Sequence, residues 1–179
     1  MTTAADSRTT SPTGLTSPAG LVGILGAALV LAYALFAALQ IQVLNPLATV
    51  PGSTLGEIHA AVGRTADTMG WGLMIAALLP GPLLAAASAV AAVRGRISAR
   101  TTLLLALGIL ALGTPVYFVA SFPAGMTLAD TFGVGGADHA PWSAILHGVS
   151  ALSAVLLAAV VISAAVDAAR RPPARRPEG

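Results

Sequence analysis

Four stretches of this chain, residues 21–44, 69–93, 101–122 and 142–166, run without a single Asp, Glu, Lys or Arg. A helix rising about 1.5 Å per residue needs about 20 residues to cross a hydrocarbon layer of roughly 30 Å, and every stretch is that long. The pattern predicts an all-α integral membrane protein: a four-transmembrane-helix bundle with a short amphipathic helix in the first outer loop. Residues 20–168 form its transmembrane domain. The first 19 residues are rich in Thr, Ser, Pro and Ala and are expected to be a disordered tail. Residues 169–179 form an Arg/Pro-rich tail whose prolines end any helix. The first span is too long for an ordinary signal peptide and reads as an uncleaved signal-anchor.

Two spans carry prolines near their midpoints, Pro80-Gly81-Pro82 in the second and Gly113-Thr114-Pro115 in the third. A proline has no N–H, so carbonyls near Ala76, Leu78 and Ala111 lose their helical donor. At bilayer depth each freed carbonyl needs another partner, such as the Thr114 side chain or a trapped water. Two broken helices meeting near the midplane can also frame a small cavity, which makes Pro80, Pro82 and Pro115 the kink or cavity residues. Gly20, Gly23 and Gly26 in span one, and Ser150, Ala154 and Ala158 in span four, form rows of small residues. Such rows let helix backbones approach closely, and intramolecular packing is their expected use. Tyr33 and Tyr117 read as packed rings with hydrogen-bonded hydroxyls.

The loop after span one contains Thr54-Leu-Gly-Glu57, which fits a capping box. The helix that follows, about residues 55–69, places Ile58, Val62 and Met69 on one side and Glu57, Arg64 and Asp67 on the other. His59 sits at the edge of the apolar side. Residues 123–141 are read as the second outer loop, with Asp130, a glycine-rich stretch and Asp138-His139. His147 lies about one and a half turns inside span four.

Charge orients the whole. All nine basic residues are Arg, and eight of them lie in the N-terminal tail, the central loop and the C-terminal tail. Only Arg64 lies on the opposite side. The positive-inside bias puts both termini in the cytoplasm, and Trp71 and Trp142 both mark the outer interface. The expected location is the plasma membrane of a bacterium, a multi-pass protein in the inner membrane. The bacterial origin rests on the Arg- and Ala-rich composition.

Only 9% of residues are charged, against about 25% in ordinary soluble domains. Cysteine is absent, which removes disulfides and thiol chemistry. The net charge of +2 belongs to the membrane edges and implies no nucleic acid. No span holds a carboxylate, an Arg or a Lys, so the ion-coupling acid of a pump and the arginines of a voltage sensor are missing. Imidazole and carboxylate suit zinc-like ions, and His59, Asp138, His139 and His147 are the weak candidates on the outer side. Their spacing matches no metal motif, so no metal site is assigned. Haem ligation lacks paired histidines at matching depth. Ser143 and His147 are one turn apart, with no orienting carboxylate, and read as packing.

The sequence therefore points to a non-enzymatic accessory or interaction component with no catalytic residue and no cofactor. Its partners are the lipid bilayer and another membrane protein or a second copy. One alternative is a small transporter or channel for a neutral or amphiphilic molecule. The other is an outer-face metal or ligand sensor using Glu57, His59, Asp138, His139 and His147.

Overall fold

A computed structural model describes residues 14–65 and 69–170. The expectations for residues 1–13, for Asp67, and for the tail from Arg171 onward lie outside the described residues. Among those described there is no strand, and four helical segments are long and apolar enough to cross a membrane: Pro18–Thr49, Trp71–Val93, Ala99–Phe132 and Ser143–Arg170. The protein is all-helical, and those four segments mark it as a multi-pass membrane protein.

The first segment begins earlier and ends later than its charge-free core. Ser17 caps helix α1 (Pro18–Leu39), accepting from the Gly20 N–H at 3.0 Å, and Pro18 takes the first helical position, where its missing N–H costs nothing. The helix then widens into a π turn, Gln40–Leu44, and continues as α2 (Asn45–Thr49). Pro46 is the physical reason. It cannot donate to the Gln42 carbonyl, and the wider turn lets the Asn45 N–H reach Gln40 instead.

Helix α3 (Leu55–Arg64) opens with the expected capping box: the Glu57 N–H donates to the Thr54 hydroxyl, and the Thr54 N–H donates to the Glu57 carboxylate. The backbone bond from Thr54, followed by its hydroxyl, holds the Glu57 carboxyl below the usual range. The helix stops at Thr65, short of the expected Met69, and buries Ile58 and Val62. The second segment is α4 (Trp71–Leu78) and α5 (Pro80–Val93), meeting at Leu79, which keeps a helical backbone conformation. The Pro-Gly-Pro sequence interrupts the hydrogen-bond ladder while Leu79 keeps helical φ and ψ.

The third segment is α6 (Ala99–Ala111) and α7 (Gly113–Phe132). Here the structure corrects the sequence reading. The second loop does not begin at Pro123, because α7 runs through that proline to Phe132. Tyr117, Ala120, Ala124 and Leu128 are all buried at helical spacing, and that stripe continues across the proline. Its burial offsets the one lost hydrogen bond. Gly70, at φ 66°, presses directly on the Pro123 ring, where an added Cβ would lie 2.6 Å from the Pro123 Cβ. The last helix is α8 (Ser143–Arg170).

Successive segments alternate direction, so Trp71, Trp142 and the ends of α2 and α7 share one end of the molecule. Arg94, Arg96, Arg100 and Arg170 share the other. The main buried cluster joins Ala37, Ile41, Met74, Tyr117, Ala124 and Leu146 in the half nearer the tryptophans. The small-residue row of α1 is used inside the molecule: a Cβ on Gly23 would stand 2.9 Å from the Ala89 Cα, and one on Gly26 would stand 2.9 Å from the Ala106 Cβ. Helix α1 thus packs closely on α5 and α6.

Candidate functional site

Polar side chains gather at the tryptophan end. Gln40, Gln42, Asn45 and Thr49 are buried there, although they stand in an apolar run. The sequence reading passed over them. Their signal was present: four hydrogen-bonding side chains at the end of a span must find partners within the protein.

Asn45 supplies the central contact. Its side-chain oxygen accepts from the backbone N–H of His139 at 2.6 Å and of Ala140 at 3.3 Å. The Thr49 hydroxyl donates to the Asn45 carbonyl at 2.7 Å and lies 3.2 Å from His139 Nδ1. Gln40 donates to the Ala140 carbonyl, and Tyr117 donates to an Asp138 carboxylate oxygen at 2.9 Å. The loop carrying Asp138 and His139 is therefore pinned to the helices on three sides. Gln42 ties the start of the second segment, donating to the Met69 carbonyl at 3.1 Å.

A second group lies deeper. Pro115 leaves the Ala111 carbonyl without its helical donor, as the sequence implied. The partner is a side chain from another helix: the Ser150 hydroxyl, from α8, donates to that carbonyl at 2.7 Å. The Ser150 oxygen in turn accepts from the Thr114 N–H at 3.1 Å. One hydroxyl thus bridges the break between α6 and α7. The Thr114 hydroxyl lies 3.1 Å from His147 Nδ1, and the His147 ring meets Tyr117 edge-on, with centroids 5.7 Å apart.

Asn45, Thr114, Tyr117, Gly125, Asp138 and His147 line a cavity of about 180 Å³, with the exposed Phe118 and Phe122 at its wall. It has a carboxylate, a phenol and an imidazole, but these are not arranged as a nucleophile with its base. Asp138 holds Tyr117, while His147 faces Thr114. Ser143 donates to the Ala140 carbonyl. Nor do the candidate metal ligands converge: no group of three or more His, Asp or Glu among the described residues lies close enough to share an ion. Glu57 is engaged in its capping box, and His59 has a buried Nε2 without a partner. Asp138, His139 and His147 each serve a different contact.

A separate cavity of about 220 Å³ lies between the two interrupted segments, lined by Tyr33, Leu78, Pro80, Pro82, Ile109 and Gly113. Pro115 lies instead on a shallower groove with Leu112 and Val119.

The chain matches no protein-family model, no curated protein and no solved structure. Its function must be read from its own residues.

The Ser150 bridge makes a sharp test. Ser150→Ala leaves a carbonyl and an N–H unpaired in a nonpolar setting, each costing about 1–3 kcal/mol. Unfolding in graded denaturing detergent should show a loss of about 2–3 kcal/mol. A change below about 0.5 kcal/mol would show that the bridge contributes nothing.

Proposed function

We propose that this chain is a non-enzymatic accessory or interaction component of a bacterial plasma membrane. In this reading it is a four-helix bundle capped by the amphipathic helix α3, with both termini cytoplasmic and the tryptophan end outside. The carrying observation is the pinned loop. Asn45, Thr49, Gln40 and Tyr117 hold residues 138–140 in one shape, and so make a fixed polar surface at that end. Asp138 and His139, the carboxylate and imidazole of that loop, are themselves engaged by Tyr117 and Thr49 in holding it. A fixed surface with no reactive centre suits recognition, because a partner that meets a preformed shape loses little ordering entropy.

The cavity between the interrupted segments favours a second reading, a small carrier for a neutral or amphiphilic molecule. Its lining carries no charge, and the two prolines from α5 form one wall.

Three experiments separate these readings. The chain contains no cysteine, so single-cysteine variants report orientation directly. Gly135→Cys should react with a membrane-impermeant maleimide on intact cells and Ile97→Cys should not; the reverse pattern would invert the topology. Purification in several mild detergents should recover a second protein or a second copy in stoichiometric amount. Asn45→Ala, which frees the loop, should lose it, and a lone monomer under every condition would end the interaction reading. The carrier reading predicts that proteoliposomes exchange a fluorescent phosphatidylcholine between leaflets faster than empty liposomes. Replacing Pro80, Pro82 and Pro115 with Ala should abolish that exchange; undiminished exchange would remove the cavity's role.

A further inference from the structure

The cavity of about 180 Å³ lies between α7 and α8, beneath residues 136–138 of the pinned loop. Gly125 lets that loop come down onto α7, for a Cβ there would stand 2.7 Å from the Gly136 carbonyl oxygen. The loop brings Asp138 into the lining, and the Tyr117 hydroxyl holds one of its carboxylate oxygens at 2.9 Å. The other oxygen takes no hydrogen bond among the described residues, and no described Arg pairs with the carboxylate. In the sequence only Arg64 falls toward this end, and it stands on α3. The cavity therefore contains a positioned carboxylate with no counter-ion from the chain. It is also within reach. Asp138 and His147 are exposed, and Phe118 and Phe122 are 64% and 55% exposed on the same flank.

We propose that this cavity binds a small organic ammonium group, whose charge meets the Asp138 carboxylate and whose carbon atoms lie against the rings of Phe118 and Phe122. The carboxylate sets the sign, since an anion beside it would be repelled and left without a partner. A bare metal ion needs more ligands than the cavity offers. Calcium takes six or more oxygens and zinc about four ligands, and no three His, Asp or Glu among the described residues share a site. An organic cation needs only an opposite charge and aromatic faces, which attract it within about 6 Å of a ring centre. Phe118 and Phe122 stand one turn apart on α7, with centroids 6.1 Å apart and planes inclined by 50°, and so form an angled aromatic wall. Tyr117 adds a third ring to the lining. The volume lies below the roughly 300–1,000 Å³ of sites for larger ligands, so it suits a headgroup-sized ion. His147 stands four residues into α8, about 6 Å along its axis, and the cavity thus starts at the level marked by Trp142 and extends inward. Two sources carry this chemistry at that level: the head of an amine-bearing phospholipid, entering from the flank, and a free amine entering from water. The site uses the same pinned loop as the interaction reading but needs no partner protein.

The test uses full-length protein in dodecyl maltoside, a detergent with neither charge nor amine. In the first arm, tritiated choline and its uncharged isostere 3,3-dimethylbutan-1-ol are dialysed to equilibrium against the protein and against empty micelles. In the second, native mass spectrometry compares retention of dioctanoyl phosphatidylethanolamine with that of its N-acetyl derivative, which has lost the ammonium charge. The ammonium member of a pair should bind saturably, and its uncharged counterpart about tenfold more weakly. Asp138→Asn keeps an acceptor for Tyr117 and removes the charge, and should weaken binding about tenfold. Phe118→Leu, on an exposed flank that the fold does not depend on, should weaken it about two- to fivefold. The chain has two tyrosines, so 3-fluorotyrosine labelling gives one reporter in the cavity and one control. The ammonium ligand should shift the Tyr117 fluorine resonance and leave that of Tyr33 unmoved. Choline binding alone upholds the site and makes its ligand a free amine; retention of the phospholipid alone upholds it and makes the ligand a lipid head. Binding no greater than that of empty micelles in both arms would overturn the site. Equal affinity within both pairs, or unchanged binding by Asp138→Asn, would overturn the ion pair that defines it. A lone monomer that binds the ammonium compound would uphold this site and end the interaction reading; a stoichiometric partner without ammonium binding would do the reverse.

Discussion

In a nonpolar surrounding a backbone N–H or C=O that loses its helical partner must find another inside the protein, and this requirement organises the whole molecule. Five of its prolines break the ladder at four places within segments that cross or approach the hydrocarbon, and the answers differ. At Pro46 the helix widens by one residue into a π turn. At Pro115 a hydroxyl from another helix, Ser150, joins the two sides of the break. At Pro123 the burial of Ala120, Ala124 and Leu128 holds the helix on course. At Pro80 and Pro82 the interruption lies beside an apolar cavity. The first answer lies among the polar side chains of the tryptophan end, the second lies deeper, and the last adjoins a hollow between the interrupted segments.

The four spans were legible because a run of apolar residues longer than a bilayer is thick has few other uses. Their ends were less so. Pro123 reads as a stop by its local chemistry, yet the buried stripe on its helix outweighs that signal, and a stripe is visible only when the whole turn pattern is followed past the proline. The break at Pro115 was legible down to the orphaned carbonyl of Ala111. Its partner was not, because Ser150 is 39 residues away in sequence and meets it only through helix packing. The same holds for Asn45, whose contacts with His139 and Ala140 join residues more than 90 positions apart. Local chemistry announces a need; tertiary structure decides what meets it.

The histidines illustrate the other side of that limit. Sequence placed all three toward one end, where they resembled a scattered metal set. In the fold His139 serves the loop anchor, His147 faces Thr114 beside the Tyr117 ring, and His59 stays on its own helix. Shared topology is a weak guide to shared geometry, because an end of four helices is wide compared with the reach of a metal ion's ligands.

Packing is uneven along the helices, and the unevenness has a physical origin. Lipid is as apolar as leucine, so helices gain little by hiding aliphatic surface from it and associate where backbones can come close or hydrogen bonds can form. Both conditions are met where Gly23 and Gly26 face Ala89 and Ala106, and where the polar cluster joins α2, α7 and α8. Neither is met along the far half of α8. There Val155, Val161, Ile162 and Val166 are exposed, and the tie to a neighbour is Arg100 donating to the Val160 carbonyl. The tryptophan half is therefore cross-linked by directional bonds, while the last turns of α8 depend on the lipid itself. The two ends are thus held by different means: hydrogen bonds join the helices at the tryptophan end, and close contacts of Gly23 with Ala89 and Gly26 with Ala106 hold α1 to α5 and α6 toward the other, where only the last turns of α8 stand apart.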